Sequence, residues 1–95
     1  MATYVILSKL NADAMKDPSD FKKLAESVTT RIKEKCPGVV WKDSYAVMGR
    51  FDVVDIVEAN DPVEVERAAM IIRCYGHAVT ETMHATPWKT FLNKL

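Results

Sequence analysis

Two apolar runs of strand-forming residues meet at a glycine in Ala46 to Val57, AVMGRFDVVDIV, and an acid, Asp52, follows the turn at once. That pattern is a β-hairpin signal. It fixes an antiparallel pair in the middle of the chain, and every other element has to be arranged around it.

The flanking segments alternate in kind. Thr3 to Leu10, TYVILSKL, is short and rich in β-branched and aromatic residues, and reads as a first strand. The chain turns polar from Asn11 to Pro18. In Asp17-Pro18-Ser19 we read Ser19 as the N-cap of a helix to Lys35, with Lys22 where a capping box wants Glu. Phe21, Leu24, Ala25, Val28 and Ile32 give that helix one apolar stripe. Cys36-Pro37-Gly38 stops it, with Gly38 available for a left-handed exit.

Val39 to Met48 is the second strand, Gly49-Arg50 the turn, and Phe51 or Asp52 to Ala59 the third. Asp61 caps and Pro62 opens a second helix running to about Tyr75, with Val65, Ala68, Ala69, Ile72 and Tyr75 inward and Gly76 at its end. His77 to Thr86 is the fourth strand. Pro87 then opens a last short helix with Trp88, Phe91, Leu92 and Leu95.

The string strand, helix, strand, strand, helix, strand, helix predicts one α+β domain over residues 1–95. It is a ferredoxin-like βαββαβ sandwich with an extra C-terminal helix. Right-handed crossovers place the first and third strands centrally in a four-stranded antiparallel sheet, with both helices on one face. Four strands about 4.8 Å apart and about six residues long, at about 3.3 Å per residue, leave roughly 380 Å² of sheet uncovered. An apolar face of that size is unusual on a lone monomer. Two such faces packed together give a dimeric α/β barrel.

A two-residue turn at Gly49-Arg50 pairs Met48 with Phe51, Ala46 with Val53, Ser44 with Asp55 and Tyr45 with Val54. From this we expect Tyr45, Val47, Val54 and Ile56 under the helices. Lys42, Ser44, Ala46, Met48, Val53, Asp55 and Val57 then lie on the open face. In the first strand the sets are Tyr4, Ile6, Ser8 and Val5, Leu7, and the pattern does not choose between them.

Composition narrows the partners. The 13 basic and 13 acidic residues cancel, and no basic patch points to nucleic acid. The first ten residues lack a charged start and a small-residue cleavage site, and no apolar run approaches the ~18 residues that span a bilayer. A cytoplasmic protein with no membrane partner is expected. Cys36 and Cys74 read as two packed thiols near helix ends rather than a disulfide framework.

Several residues are candidates for chemistry. Asp52 suits backbone N–H groups at the turn or a ligand. Asp55, in mid-strand, needs a pair with Lys42, a hydrogen bond from Ser44, or a role as a buried acid that moves protons. Glu81, between Thr80 and Thr82, suits a pair with Lys9 or catalysis. His84 faces away from both Glu81 and His77, so no metal site forms within one subunit, and no cofactor is expected.

Taken together, Gly49-Arg50-Phe51-Asp52, the opening MATYVIL, GRFDVVDIVEA, Thr80-Glu81-Thr82-Met83 and the closing Phe91-Leu92 resemble the GYD domain family, which is named for a Gly-x-Tyr-Asp turn. Phe51 stands here in place of the tyrosine. Pro37-Gly38-Val39 leading into that hairpin also resembles the ligand-binding domain of the Lrp/AsnC feast/famine regulators. The resemblance implies a dimeric α/β barrel that holds a small polar metabolite near the turn. Gly49, Arg50, Phe51, Asp52, Ser44 and Tyr4 are its contact residues. Two alternatives accompany it. One is a cofactor-free monooxygenase-, isomerase- or decarboxylase-like enzyme using Asp55, Glu81 or His84. The other is an accessory subunit docking through the last helix.

Overall fold

A computed structural model describes residues 1–12 and 16–95. Residues 13–15, within the polar connection expected between Asn11 and Pro18, lie outside the described residues. The elements are β1 (Ala2–Leu10), α1 (Pro18–Lys35), β2 (Val40–Ala46), β3 (Val53–Ala59), α2 (Pro62–Tyr75), β4 (Ala78–Ala85) and α3 (Trp88–Leu92). The strands form one sheet in the order β2-β3-β1-β4 with every neighbouring pair antiparallel. This is the ferredoxin-like α+β arrangement, with β1 and β3 in the centre.

Both long helices start in the same way. Asp17 and Asp61 are extended, and each accepts the backbone N–H two residues on, Ser19 and Val63, at 2.9 Å, with a proline opening the first turn. The cap of α1 is therefore Asp17 and not Ser19, whose hydroxyl also donates to the Asp17 carboxylate at 2.9 Å. These two bonds, the backbone one first, hold the Asp17 carboxyl below its ordinary range. At the far ends no glycine has positive φ. The left-handed position after α2 falls on His77 (φ 51°), and Gly38 does not serve as a left-handed exit.

The core lies between the sheet and the helices. Ile6, Val57 and Ala59 pack there against Ile32 of α1, Cys36, and Val65, Ala68 and Ile72 of α2. Tyr75, expected inward, is exposed and lies under the Arg31 guanidinium, 4.0 Å from its ring centre. Cys36 is buried, but Cys74 is exposed and does not pack as expected.

The hairpin register is as expected, with Ser44 opposite Asp55, Tyr45 opposite Val54 and Ala46 opposite Val53. Its turn is not. The strands stop at Ala46 and Val53, residues 47–52 join them, and the last closing bond runs from Val47 N–H to the Asp52 carbonyl at 2.9 Å. Met48 is fully exposed and unpaired with Phe51.

The faces are the reverse of the expectation. Asp55 and Val57 are buried under the helices, with Tyr4, Ile6 and Ser8 beside them on β1. Tyr45, Val54 and Ile56 lie on the open face with Val5 and Leu7. Both alternating sets are apolar enough to fill a core, and what decides is whether Asp55 finds donors under α1. A bulge between Trp41 and Asp43 supplies one of them, because the extra residue, Lys42, turns Trp41 onto the same face as Ser44.

Candidate functional site

Asp55 is 7% exposed, and its Oδ1 accepts two hydrogen bonds: the Ser44 hydroxyl donates at 2.6 Å and the Trp41 indole N–H at 3.1 Å. The same indole N–H also donates to Ser44 Oγ at 2.9 Å. The expected pair with Lys42 does not form, while the expected bond from Ser44 does. Two positions along β1 from the residue opposite Asp55, Ser8 is 3% exposed, and among the described residues its hydroxyl has no partner.

These polar groups line a cleft of about 560 Å³ between α1 and the sheet. The cleft exists because α1 holds off the strands. Of its apolar stripe only Ile32 is buried, while Phe21, Leu24 and Val28 are half-buried and line the opening. Cys36 lies at the α1 end of the same space, where burial pushes its thiol above the ordinary value. Glu64 adds to that shift and Arg67 opposes it.

Asp52 occupies a different place. Its Oδ2 accepts the Leu10 backbone N–H at 2.8 Å, and its own N–H donates to the Ser8 carbonyl at 2.9 Å, so it extends the β1–β3 ladder past the end of β3. A hollow of about 310 Å³ beside it is lined by Lys9, Leu10, Phe21 and Asp52 among others. Gly49 and Arg50 are exposed at the tip of the connection, and Phe51 is half-buried.

The remaining candidates are dispersed. Glu81 stands opposite Leu7 on the open face. His84 stands opposite Tyr4 on the other face, the two rings edge to face at 5.5 Å. Asp55, Glu81 and His84 are thus not brought together, and Glu81 forms no ion pair with Lys9. Among the described residues no cluster suited to a metal ion occurs, and no helix is long and apolar enough to cross a membrane. Sequence reasoning missed Ser8 and Trp41. The signal for Ser8 was a lone hydroxyl alternating with Tyr4 and Ile6. Trp41 had none, since its placement depends on the bulge.

The family model described as GYD domain matches residues 4–94. The glutamine synthetase and cystathionine beta-lyase binding protein of Thermus thermophilus is 31% identical over 99 residues, spanning 100% of this chain and 99% of that protein. Among solved structures, the leucine response regulatory protein LrpA of Mycobacterium tuberculosis has a TM-score of 0.62 at 15% identity over 90% of this chain. The chain spans about half of LrpA's length, 51%, and the likeness is one of fold. FFRP-DM1 has a TM-score of 0.57 at 26% identity, over 90% of this chain and 100% of its own.

Proposed function

The chain belongs to the GYD domain family, and from that footing we propose that it is a homo-oligomeric regulatory binding module. Two copies pair through their open sheet faces, and the paired unit docks on a metabolic enzyme. The observation that carries this reading is the uncovered side of the sheet. Val5, Leu7, Val54 and Ile56 form its centre, and Tyr45, Val79 and Met83 stand 54%, 61% and 48% exposed around them. A second copy of the same face covers it by two-fold symmetry, removing these apolar residues from water.

The name of the Thermus thermophilus relative, similar over its whole length, supports an enzyme as the further partner. α3 supplies the docking element, since none of its residues is buried and Trp88, Phe91 and Leu92 are 70%, 46% and 44% exposed. The hollow beside Asp52, with Lys9 and Asp52 as its two charges, takes a small polar effector next to the hairpin connection.

Light scattering on wild type and Val54→Glu tests the pairing. Wild type is expected at twice the chain mass or a multiple, and Val54→Glu at the single-chain mass with its circular dichroism unchanged. A wild-type monomer at 100 µM, about a hundredfold above a 1 µM dissociation constant, overturns it. Purified glutamine synthetase and cystathionine beta-lyase, immobilised and offered wild type or a chain truncated after Pro87, test the docking. Binding of neither enzyme, or equal binding of both chains, removes α3 from that role.

A further inference from the structure

The cleft beneath α1 is unused by either pairing or docking, yet it has the make-up of a binding site. Packed interiors leave few voids larger than a water molecule, and about 560 Å³ is within the range of small-ligand pockets, about 300–1,000 Å³. Its walls are apolar, with Phe21, Leu24 and Val28 from α1 facing Val53 and Ile72. Its polar groups are Ser8, Trp41, Ser44 and Asp55 on the sheet side, and on α1 Lys33 and Thr29, whose hydroxyl is taken up by the Ala25 carbonyl.

Those polar groups are incompletely partnered in a way that has a sign. Both donors on Asp55, Trp41 and Ser44, go to Oδ1, and among the described residues Oδ2 has no hydrogen-bond partner and the carboxylate no ion pair. The one base on the lining, Lys33, sits exposed on the last turn of α1. Ser8 is 3% exposed, and among the described residues its hydroxyl has no partner either. A buried carboxylate is stabilised by a countercharge and further donors, and here neither comes from the described residues.

We propose that this cleft binds a primary amine with an apolar body. The ammonium group donates to Asp55 Oδ2 and to Ser8 Oγ, and the body fills the space that α1 leaves against Val53 and Ile72. An alcohol of the same shape satisfies the hydrogen bonds without the charge. A carboxylate of the same shape meets Asp55 with like charge. The site lies on the side of the sheet opposite the proposed pairing face, so it neither rests on self-association nor fails with it.

Trp41 reports on the site directly, and Trp88→Phe leaves it as the only tryptophan. In that background, 3-phenylpropylamine, 3-phenylpropanol and 3-phenylpropionate are titrated while the Trp41 fluorescence and indole N–H resonance are followed. The amine is expected to shift both saturably, at least tenfold more tightly than the alcohol, with no saturation by the acid. Asp55→Asn should bring the amine to the level of the alcohol, and Val28→Trp, which fills the apolar end, should abolish both. Acid bound as tightly as amine, amine affinity unchanged in Asp55→Asn, or no saturable shift with any probe overturns the proposal. Should Asp55→Asn lose its near-ultraviolet dichroism, the comparison of the three probes on the Asp55 protein decides alone.

Discussion

The Ser44 hydroxyl lies 2.6 Å from Asp55 Oδ1, across the two strands of the hairpin, and the Trp41 indole N–H reaches both oxygens from the far side of a bulge. A buried carboxylate is stable there because two donors meet it. Ser44→Ala removes one bond to a charged group, for which a loss of about 1–2 kcal/mol is expected given the exposure of Ser44. Urea unfolding measures it. A change within about 0.5 kcal/mol, the range of ordinary surface substitutions, means that Trp41 alone holds the carboxylate.

Asp52 stabilises the strand end through one oxygen. Its Oδ2 satisfies the Leu10 N–H at the end of β1, and a partly buried donor left without an acceptor costs about 1–3 kcal/mol. Asp52→Ala should therefore lower stability by about 1–2 kcal/mol. Asp52→Asn retains a side-chain oxygen and should lose less than half of that. Hydrogen exchange of the Leu10 amide locates the effect, faster in Asp52→Ala than in Asp52→Asn. Equal exchange in both variants ends the assignment.

The two glycines at chain reversals behave oppositely. A Cβ on Gly76 stands 2.4 Å from the Ile72 carbonyl oxygen, which cannot give way without distorting the end of α2, whereas a Cβ on Gly49 meets nothing within 4 Å. Gly76→Ala should cost about 1–3 kcal/mol, the range for overpacking, and Gly49→Ala should stay within about 0.5 kcal/mol. Thermal unfolding of the two variants side by side checks this. A loss at Gly49 larger than at Gly76 contradicts the geometry.

Much of the fold is readable from local signals. Asp61-Pro62 marks α2, and the hairpin register follows from centring the reversal on Gly49-Arg50, although the connection is longer than a two-residue turn. Asp17-Pro18 carries the same cap signal, but Ser19, two residues after Asp17, is also a good capping residue and competes with it. The face of the sheet was not readable. Val53, Asp55 and Val57 alternate with Val54 and Ile56, and hydropathy favours hiding the second set. Of the two donors that make the first set the buried one, Trp41 arrives through a bulge with no glycine to mark it. The cleft was out of reach for a related reason. The stripe Phe21, Leu24, Val28, Ile32 is what a fully packed helix also shows, and the distance α1 keeps from the sheet is a tertiary property.

The Cys36 thiol gives the fold a pH dependence of known sign. Burial first, then Glu64, raise its pKa above the ordinary value, against an opposing pull from Arg67. The native state therefore holds the thiol proton more tightly than the unfolded chain, where the thiol titrates near about 8.5. Below that value both states carry the proton and the contribution is fully present. Between the unfolded and folded values the unfolded chain loses its proton first, so stability falls as pH rises, and levels off above the folded value. The measurement is the difference in unfolding free energy between wild type and Cys36→Ala at pH 7, 8.5, 9.5 and 10.5, in which the groups common to both proteins cancel. The advantage of wild type should be constant up to about pH 8 and shrink thereafter. Exposed Cys74 should react with a thiol reagent at a normal rate while Cys36 stays protected until unfolding. An advantage that grows with pH, or a Cys36 that reacts as fast as Cys74, would mean that the thiol is neither buried nor held in its neutral form.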